Sequence, residues 1–251
     1  MTLLVDIGNS RVKWARLGAD GPGEQSAAEY AGWSAADWRA ALFAGVPVER
    51  VLVASVAGES AGAALDAAAR LATGHPARFV ATTRATGGVQ NGYSDPGLLG
   101  VDRWLAVVGA YARVGSACVV ADIGTAATVD VVAPDGRHQG GYIVPGPRLM
   151  VASLLSSTRE LAPRHASSGT SGTQSGFADN TRDAIERGCR LALAALIDRS
   201  VADAAGDSSG RPRLLLTGGA ALEVLPHLRS IVEHLPDLVL RGLAVVARLP
   251  G

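Results

Sequence analysis

Leu3-Leu4-Val5-Asp6-Ile7-Gly8-Asn9-Ser10, near the start of the chain, is answered close to its middle by Val119-Val120-Ala121-Asp122-Ile123-Gly124-Thr125-Ala126. Each stretch reads as an apolar strand that carries a carboxylate to its end and then breaks at a glycine. Nearly half the chain separates Asp6 from Asp122, which points to a duplication producing two like lobes. The repeated unit has a physical use. Glycine lets backbone N–H groups approach a phosphate with no Cβ in the way, and the small polar residue beyond it adds a donor. One such hairpin needs its Asp only to satisfy turn N–H groups. Two of them argue for paired phosphate-binding turns, and Lys13, on the strand returning from the first turn, can reach a phosphate as a point charge.

Working outward, Leu3–Leu17 reads as a hairpin whose second strand alternates through Val12, Trp14 and Leu17. Arg50–Ala54 is a strand and Ala61–Ala72 an alanine-rich helix. The glycine-rich, polar stretch Thr86–Pro96 is a loop that leads into a helix over Leu98–Val114. Ala117–Ala121 and Ala127–Val132 are strands, and the turn Pro134-Asp135-Gly136 leads to a third strand ending at Gly140–Gly146. Helices are predicted over Leu149–Leu161 and Thr181–Ala205, separated by the Ser/Gly/Thr-rich stretch Ser167–Gly176, which lacks apolar residues to pack and reads as a mobile loop. Arg213–Leu216 is a strand, Thr217-Gly218-Gly219 a glycine turn, and Ala220–His234 a helix. This alternation predicts an α/β fold with an N-terminal lobe over residues 1–115 and a C-terminal lobe over 116–251.

Bulk properties narrow the partners. The chain has 251 residues, 48% of them hydrophobic, enough to bury a sizeable core without staples. Its 23 basic and 23 acidic residues cancel, and neither sign clusters, which argues against nucleic acid or an anionic membrane as the main partner. Cys118 and Cys189 lie in separate apolar segments and read as buried thiols of a reducing compartment, with no disulfide framework and no zinc site. Met1 leads straight into the first strand with no signal segment, and no apolar run is long enough to span a membrane, so a cytoplasmic location is expected. The five histidines are scattered with no metal-ligand spacing and read as surface residues. The four tryptophans read as core. No G-x-x-x-x-G-K-[ST] occurs, which excludes a P-loop kinase.

Tyr93-Ser94-Asp95-Pro96-Gly97-Leu98-Leu99-Gly100-Val101-Asp102-Arg103-Trp104 is the segment expected to hold an acceptor substrate. Asp102 and Arg103 fall in the first turn of the predicted helix, where the dipole favours a carboxylate and disfavours a guanidinium. An arginine placed there is explained by an anion that it clamps, bidentately if that anion is a carboxylate.

Taken together, Asp6-Ile7-Gly8-Asn9-Ser10 with Lys13, Gly100-Val101-Asp102-Arg103, Asp122-Ile123-Gly124-Thr125-Ala126, Gly141–Gly146 and Thr217-Gly218-Gly219 resemble the ordered motif set of type III pantothenate kinases. Tyr93 and Pro96 before Gly100, and Asn180-Thr181 before a long helix, match as well. Ser10 stands where threonine is expected and keeps the hydroxyl. The resemblance implies the acetate and sugar kinase, Hsp70 and actin superfamily: two like lobes of ribonuclease H-like (actin-like ATPase) fold around a nucleotide cleft. It also implies ATP-dependent phosphorylation of pantothenate to 4′-phosphopantothenate, the first step of coenzyme A synthesis. Mg²⁺ on the nucleotide, a monovalent cation (K⁺ or NH₄⁺) and a homodimer with the acceptor site at the subunit interface are implied too.

Carried over position by position, the resemblance makes Asp102 the general base and assigns Asp6, Ile7, Gly8, Asn9, Ser10, Arg11, Val12, Lys13 and Thr125 to ATP. Tyr93, Gly100, Val101, Asp102, Arg103 and Thr181 are assigned to pantothenate, and Asp122 to the cation. Two rivals are a kinase of the same fold acting on another small acid or sugar, and an ATP-binding accessory regulator. A sugar site would call for several side-chain donors and acceptors, whereas Tyr93 and Arg103 suit a small acid. An intact Asp102 argues against a regulator without catalysis.

Overall fold

The computed structural model describes all residues except 46, 159, 168–176, 207–210 and 250–251. Most of the stretch read as a mobile loop therefore lies outside the described residues. The chain forms two compact units. The first comprises Met1–Ser116, Val132–Gly140 and Asp237–Gly251; the second comprises Ala117–Val131 and Gly141–Pro236. Two later segments, Val132–Gly140 and Asp237–Gly251, thus belong to the first unit.

In chain order the first unit builds β1 (Thr2–Ile7), β2 (Arg11–Arg16), β3 (Ser26–Glu29), α1 (Ala35–Leu42), β4 (Arg50–Ser55), α2 (Glu59–Thr73) and β5 (Arg78–Phe79). The miniature hairpin β6 (Ala85–Thr86) and β7 (Val89–Gln90) and the helix α3 (Val101–Val114) follow. The sheet order is β3-β2-β1-β4-β5, with β1 antiparallel to β2 and parallel to β4. Leu3, Leu4, Val5 and Ile7 of the central strand are completely buried, as a strand covered on both faces requires. The helix α1 was not anticipated, although Ser34 and Asp37 form a capping box at its start: the Ser34 N–H donates to Asp37 Oδ2 at 2.8 Å and the Asp37 N–H to Ser34 Oγ at 3.4 Å.

The remaining elements are β8 (Cys118–Ile123), β9 (Ala126–Val132), β10 (His138–Pro145), α4 (Pro147–Ser157), α5 (Leu161–Ser167), α6 (Thr181–Ala205), β11 (Arg213–Thr217), α7 (Ala221–Val224), β12 (Val232–His234) and α8 (Leu238–Arg248). Their sheet runs β10-β9-β8-β11-β12, with β11 parallel to both β8 and β12. This is the order of the first sheet repeated, strand for strand. Its core joins Val119, Ala121 and Ile123 of β8 to Leu193 and Ile197 of α6 and to Leu214 and Leu216 of β11.

Three expectations need correction. The helix expected over Ala220–His234 breaks after one turn and a short 3₁₀ segment, Leu225–His227, and the chain then runs extended as β12. Pro226 cannot donate a helical hydrogen bond, and the Asp198 carboxylate accepts from the N–H groups of Arg229 (3.0 Å) and Ser230 (2.9 Å), drawing them out of a helix. The Thr86–Pro96 loop contains the whole β6–β7 hairpin except Ala85. His138 is a core residue with 1% exposure, because it opens β10 beneath the backbone of Gly92. Cys118 and Cys189 are buried free thiols, and burial pushes the Cys118 thiol up to about 12.

The C-terminal α8 packs on α3 within the first unit. The crossing is close enough that a Cβ on Gly109 would lie 2.6 Å from the Leu238 carbonyl oxygen, and one on Gly242 would collide with the carbonyl of Leu105. This backbone-to-backbone approach holds in place the helix that carries Asp102 and Arg103.

Candidate active site

The first glycine turn closes when the Gly8 N–H donates to the Arg11 carbonyl at 3.0 Å, leaving Asn9, Ser10 and Arg11 exposed at its tip. Asp6, 8% exposed, stands opposite Lys13 in the β1–β2 register. Ile7 and Val12 are wholly buried, so neither presents an exposed side chain to a nucleotide. The turn has a brace that the sequence did not advertise: the Tyr30 hydroxyl donates to the Gly8 carbonyl at 2.6 Å and lies 3.3 Å from that of Asn9. Burial raises the Tyr30 pKa.

The second turn is one residue shorter, closing from the Gly124 N–H to the Ala126 carbonyl at 2.9 Å. Around it the second unit gathers its other motifs. The Gly146 N–H donates to the Thr125 carbonyl at 2.8 Å, and Thr217 sits opposite Asp122 in the β8–β11 register. Gly218 follows with φ of +98° and lies against both Asp122 Oδ1 and the Ile123 carbonyl, so that a Cβ would strike either oxygen. Only glycine meets both demands. Asp122 Oδ1 and nearby backbone carbonyls are hard oxygen donors, suited to an alkali or alkaline-earth cation. Among the described residues no group of three or more His, Cys, Asp or Glu side chains is placed to hold a metal ion.

Asp102 and Arg103 are the second and third residues of α3, which Gly100 caps. Asp102 Oδ1 accepts from the Arg103 N–H at 2.7 Å, and a Cβ at position 100 would crowd that oxygen at 2.8 Å. The Arg103 side chain is no exposed helix-end charge. It is 7% exposed, its Nη1 donates to the Tyr93 hydroxyl at 3.0 Å, and its guanidinium carbon lies 5.8 Å from the Tyr93 ring centroid. The Tyr93 ring in turn stacks on His138, with centroids 6.0 Å apart and planes inclined by 15°. A buried guanidinium beside a phenol and one residue from a carboxylate is an arrangement that can bind an anion and take up a proton next to it.

Thr181 belongs to the second unit, at the first position of α6. Asn180 caps that helix by accepting from the Asp183 N–H at 3.0 Å. Thr181 borders an apolar groove of about 620 Å³ between α4, α5 and α6, lined by Met150, Leu154, Leu161, Ile185 and Cys189 among others. Tyr142, Ile143, Leu149, Leu154 and Leu191 of the same unit are exposed by 41% or more. No helix among the described residues is long and apolar enough to cross a membrane.

The profile of the family "Type III pantothenate kinase" matches residues 2–203. The type III pantothenate kinase of Azoarcus sp. (strain BH72) is 41% identical over 249 residues, covering 98% of this chain and 90% of the relative. That of Herminiimonas arsenicoxydans is 40% identical, covering 98% and 97%. Solved structures share the fold at lower identity. One, described as a Baf family transcriptional activator from Campylobacter jejuni, has a TM-score of 0.57 at 21% identity, with 96% of this chain and 94% of that one covered. Another, component A of the (R)-2-hydroxyglutaryl-CoA dehydratase of Acidaminococcus fermentans, gives 0.52 at 14% identity over 97% and 95%. Full-length identity near 40%, the family profile and the duplicated sheet order agree: the chain belongs to the type III pantothenate kinase family.

Proposed function

We propose that this chain, an enzyme of the family that phosphorylates pantothenate to 4′-phosphopantothenate with ATP, works through Asp102 as general base and the Tyr93–Arg103 pair as the anchor of pantothenate's carboxylate. The observation that carries the reading is the 3.0 Å bond from the buried Arg103 guanidinium to the Tyr93 hydroxyl, one residue from a carboxylate at a helix N-terminus. Such a pair fixes the acid end of pantothenate by charge-assisted hydrogen bonds, which leaves its hydroxyl to be presented to Asp102. Phosphoryl transfer through a loose transition state asks a protein mainly to position reactants and neutralise charge. The exposed tip of the Asp6 turn is the element assigned to the phosphates, and Lys13, on β2, adds a point charge.

Kinases of this family use ATP with a divalent metal, which neutralises phosphate charge when bound. The oxygen donors Asp122 Oδ1 and the Ile123 carbonyl also suit a monovalent cation, K⁺ or NH₄⁺, and Asp122 is the side chain assigned to hold it. The exposed apolar face around the α4–α6 groove supports a homodimer, with Thr181 of one copy reaching the pantothenate of the other. Two buried thiols and an ATP-dependent reaction suit the cytoplasm.

The cation assignment is tested by turnover of Asp122→Ala in K⁺ and in Na⁺ buffer. Activation by K⁺ should disappear while the melting temperature stays within a few degrees. A mutant still activated by K⁺ with unchanged half-saturation would remove Asp122 from the cation site.

A further inference from the structure

Tyr93 belongs to a stretch, Asn91–Asp95, that lies in no helix or strand, yet its hydroxyl has to meet a guanidinium anchored on the rigid start of α3. Two side chains that no motif contains hold this stretch. Arg84, just before the β6–β7 hairpin, spreads its fork over two consecutive carbonyls: Nη1 donates to Tyr93 O at 3.2 Å and Nη2 to Ser94 O at 3.1 Å. Asn91, 6% exposed, closes the other side. Its Oδ1 accepts from the Tyr93 N–H at 2.9 Å, its Nδ2 donates to Thr83 O at 3.3 Å, and its own N–H donates to Arg84 O at 2.9 Å. The main chain on both sides of Tyr93 is thereby tied to residues 83 and 84, and His138 backs the ring.

We infer that Arg84 and Asn91 are positioning residues for pantothenate recognition: they hold the backbone of Tyr93 so that its hydroxyl meets Arg103. The inference rests on the reading of Tyr93 and Arg103 as the carboxylate site. A planar fork is the group able to bridge two adjacent carbonyls, which a lysine ammonium does less well. Because the Arg84 side chain lies at the surface, its removal leaves the core intact. What it should alter is the population of the loop that presents Tyr93, and hence substrate affinity more than the chemical step.

The test is steady-state kinetics and thermal melting of Arg84→Ala, Arg84→Lys, Asn91→Ala, Tyr93→Phe and the double variant Arg84→Ala/Tyr93→Phe. Arg84→Ala should raise KM for pantothenate roughly tenfold, the effect of about one charge-assisted hydrogen bond. Its kcat should stay within about twofold, and KM for ATP and Tm should be unchanged. Arg84→Lys should fall between wild type and Arg84→Ala, and Asn91→Ala should raise the same KM. If Arg84 acts through the Tyr93 hydroxyl, the double variant should be no worse than Tyr93→Phe alone. An unchanged KM in Arg84→Ala, with Tyr93→Phe impaired, would overturn the inference and leave the carboxylate site standing. Multiplying effects in the double variant would likewise show that Arg84 acts by another route. An unchanged KM in Tyr93→Phe would overturn the carboxylate site and the inference together.

Discussion

Arg103 combines burial, a permanent charge and a place in the first turn of a helix, where the dipole opposes it. Burying a charge against the dipole costs free energy, and the proposed carboxylate of pantothenate would offset part of it by its opposite charge. Arg103→Lys preserves the charge but loses the planar fork, so KM for pantothenate should rise roughly tenfold, with kcat falling further if the hydroxyl is misaligned. An unaltered KM would mean that the carboxylate is held by other groups. Arg103 stands out in the sequence because a guanidinium in the first turn of a helix opposes the dipole, and Asp102 and Tyr93 are read with it as parts of the same segment. Arg84, Asn91 and Tyr30 do not stand out. Their partners are backbone atoms, which leave no residue-type pattern at a fixed spacing, and the distances in sequence run from a few residues to more than twenty. His138 was misread for a related reason: nothing in its neighbours along the chain announces that Gly92 and Tyr93 cover it.

At the scale of elements, the strands were legible wherever an apolar run ended in a glycine turn, and the long helices wherever apolar residues recurred at helical spacing. What stayed hidden was decided by contacts between elements, as where Asp198 on α6 captures the N–H groups that start the chain toward β12. Glycines illustrate the same point, because their roles differ with what faces them. At Gly242 a new Cβ would meet the backbone of α3, which cannot yield as a side chain does. Gly242→Ala should therefore cost about 3 kcal/mol, seen as a Tm loss of roughly 6–12 °C. At Gly62, inside α2, the nearest atoms to a new Cβ are those of the Phe79 ring at 3.4 and 3.5 Å, an ordinary contact. Gly62→Ala should raise stability by roughly 0.5–1 kcal/mol, the helix-propensity difference. Equal Tm changes for the two variants would contradict the packing described for α3 and α8.

For the whole molecule, the repeated Asp-Ile-Gly turn was the visible trace of a duplication that the structure extends to entire sheets, each with its five strands in the same relative order. The homodimer proposal makes a prediction at this scale, since a shared site would draw Asp102 from one copy and Thr181 from the other. Asp102→Asn and Thr181→Ala, each nearly inactive alone, should complement when mixed equally under conditions that let subunits exchange. Random pairing makes about half the dimers mixed, each with one intact site, so ~25% of all sites should recover. No recovery despite demonstrated exchange would rule out the shared site.

The central claim, that pantothenate is the phosphoryl acceptor and Asp102 its base, is tested most directly by ADP release from the purified protein with and without pantothenate, in potassium buffer. Release should depend on pantothenate in the wild type and fall by roughly 10²–10⁴-fold in Asp102→Asn. ADP release indifferent to pantothenate, or near-normal turnover by Asp102→Asn, would contradict it.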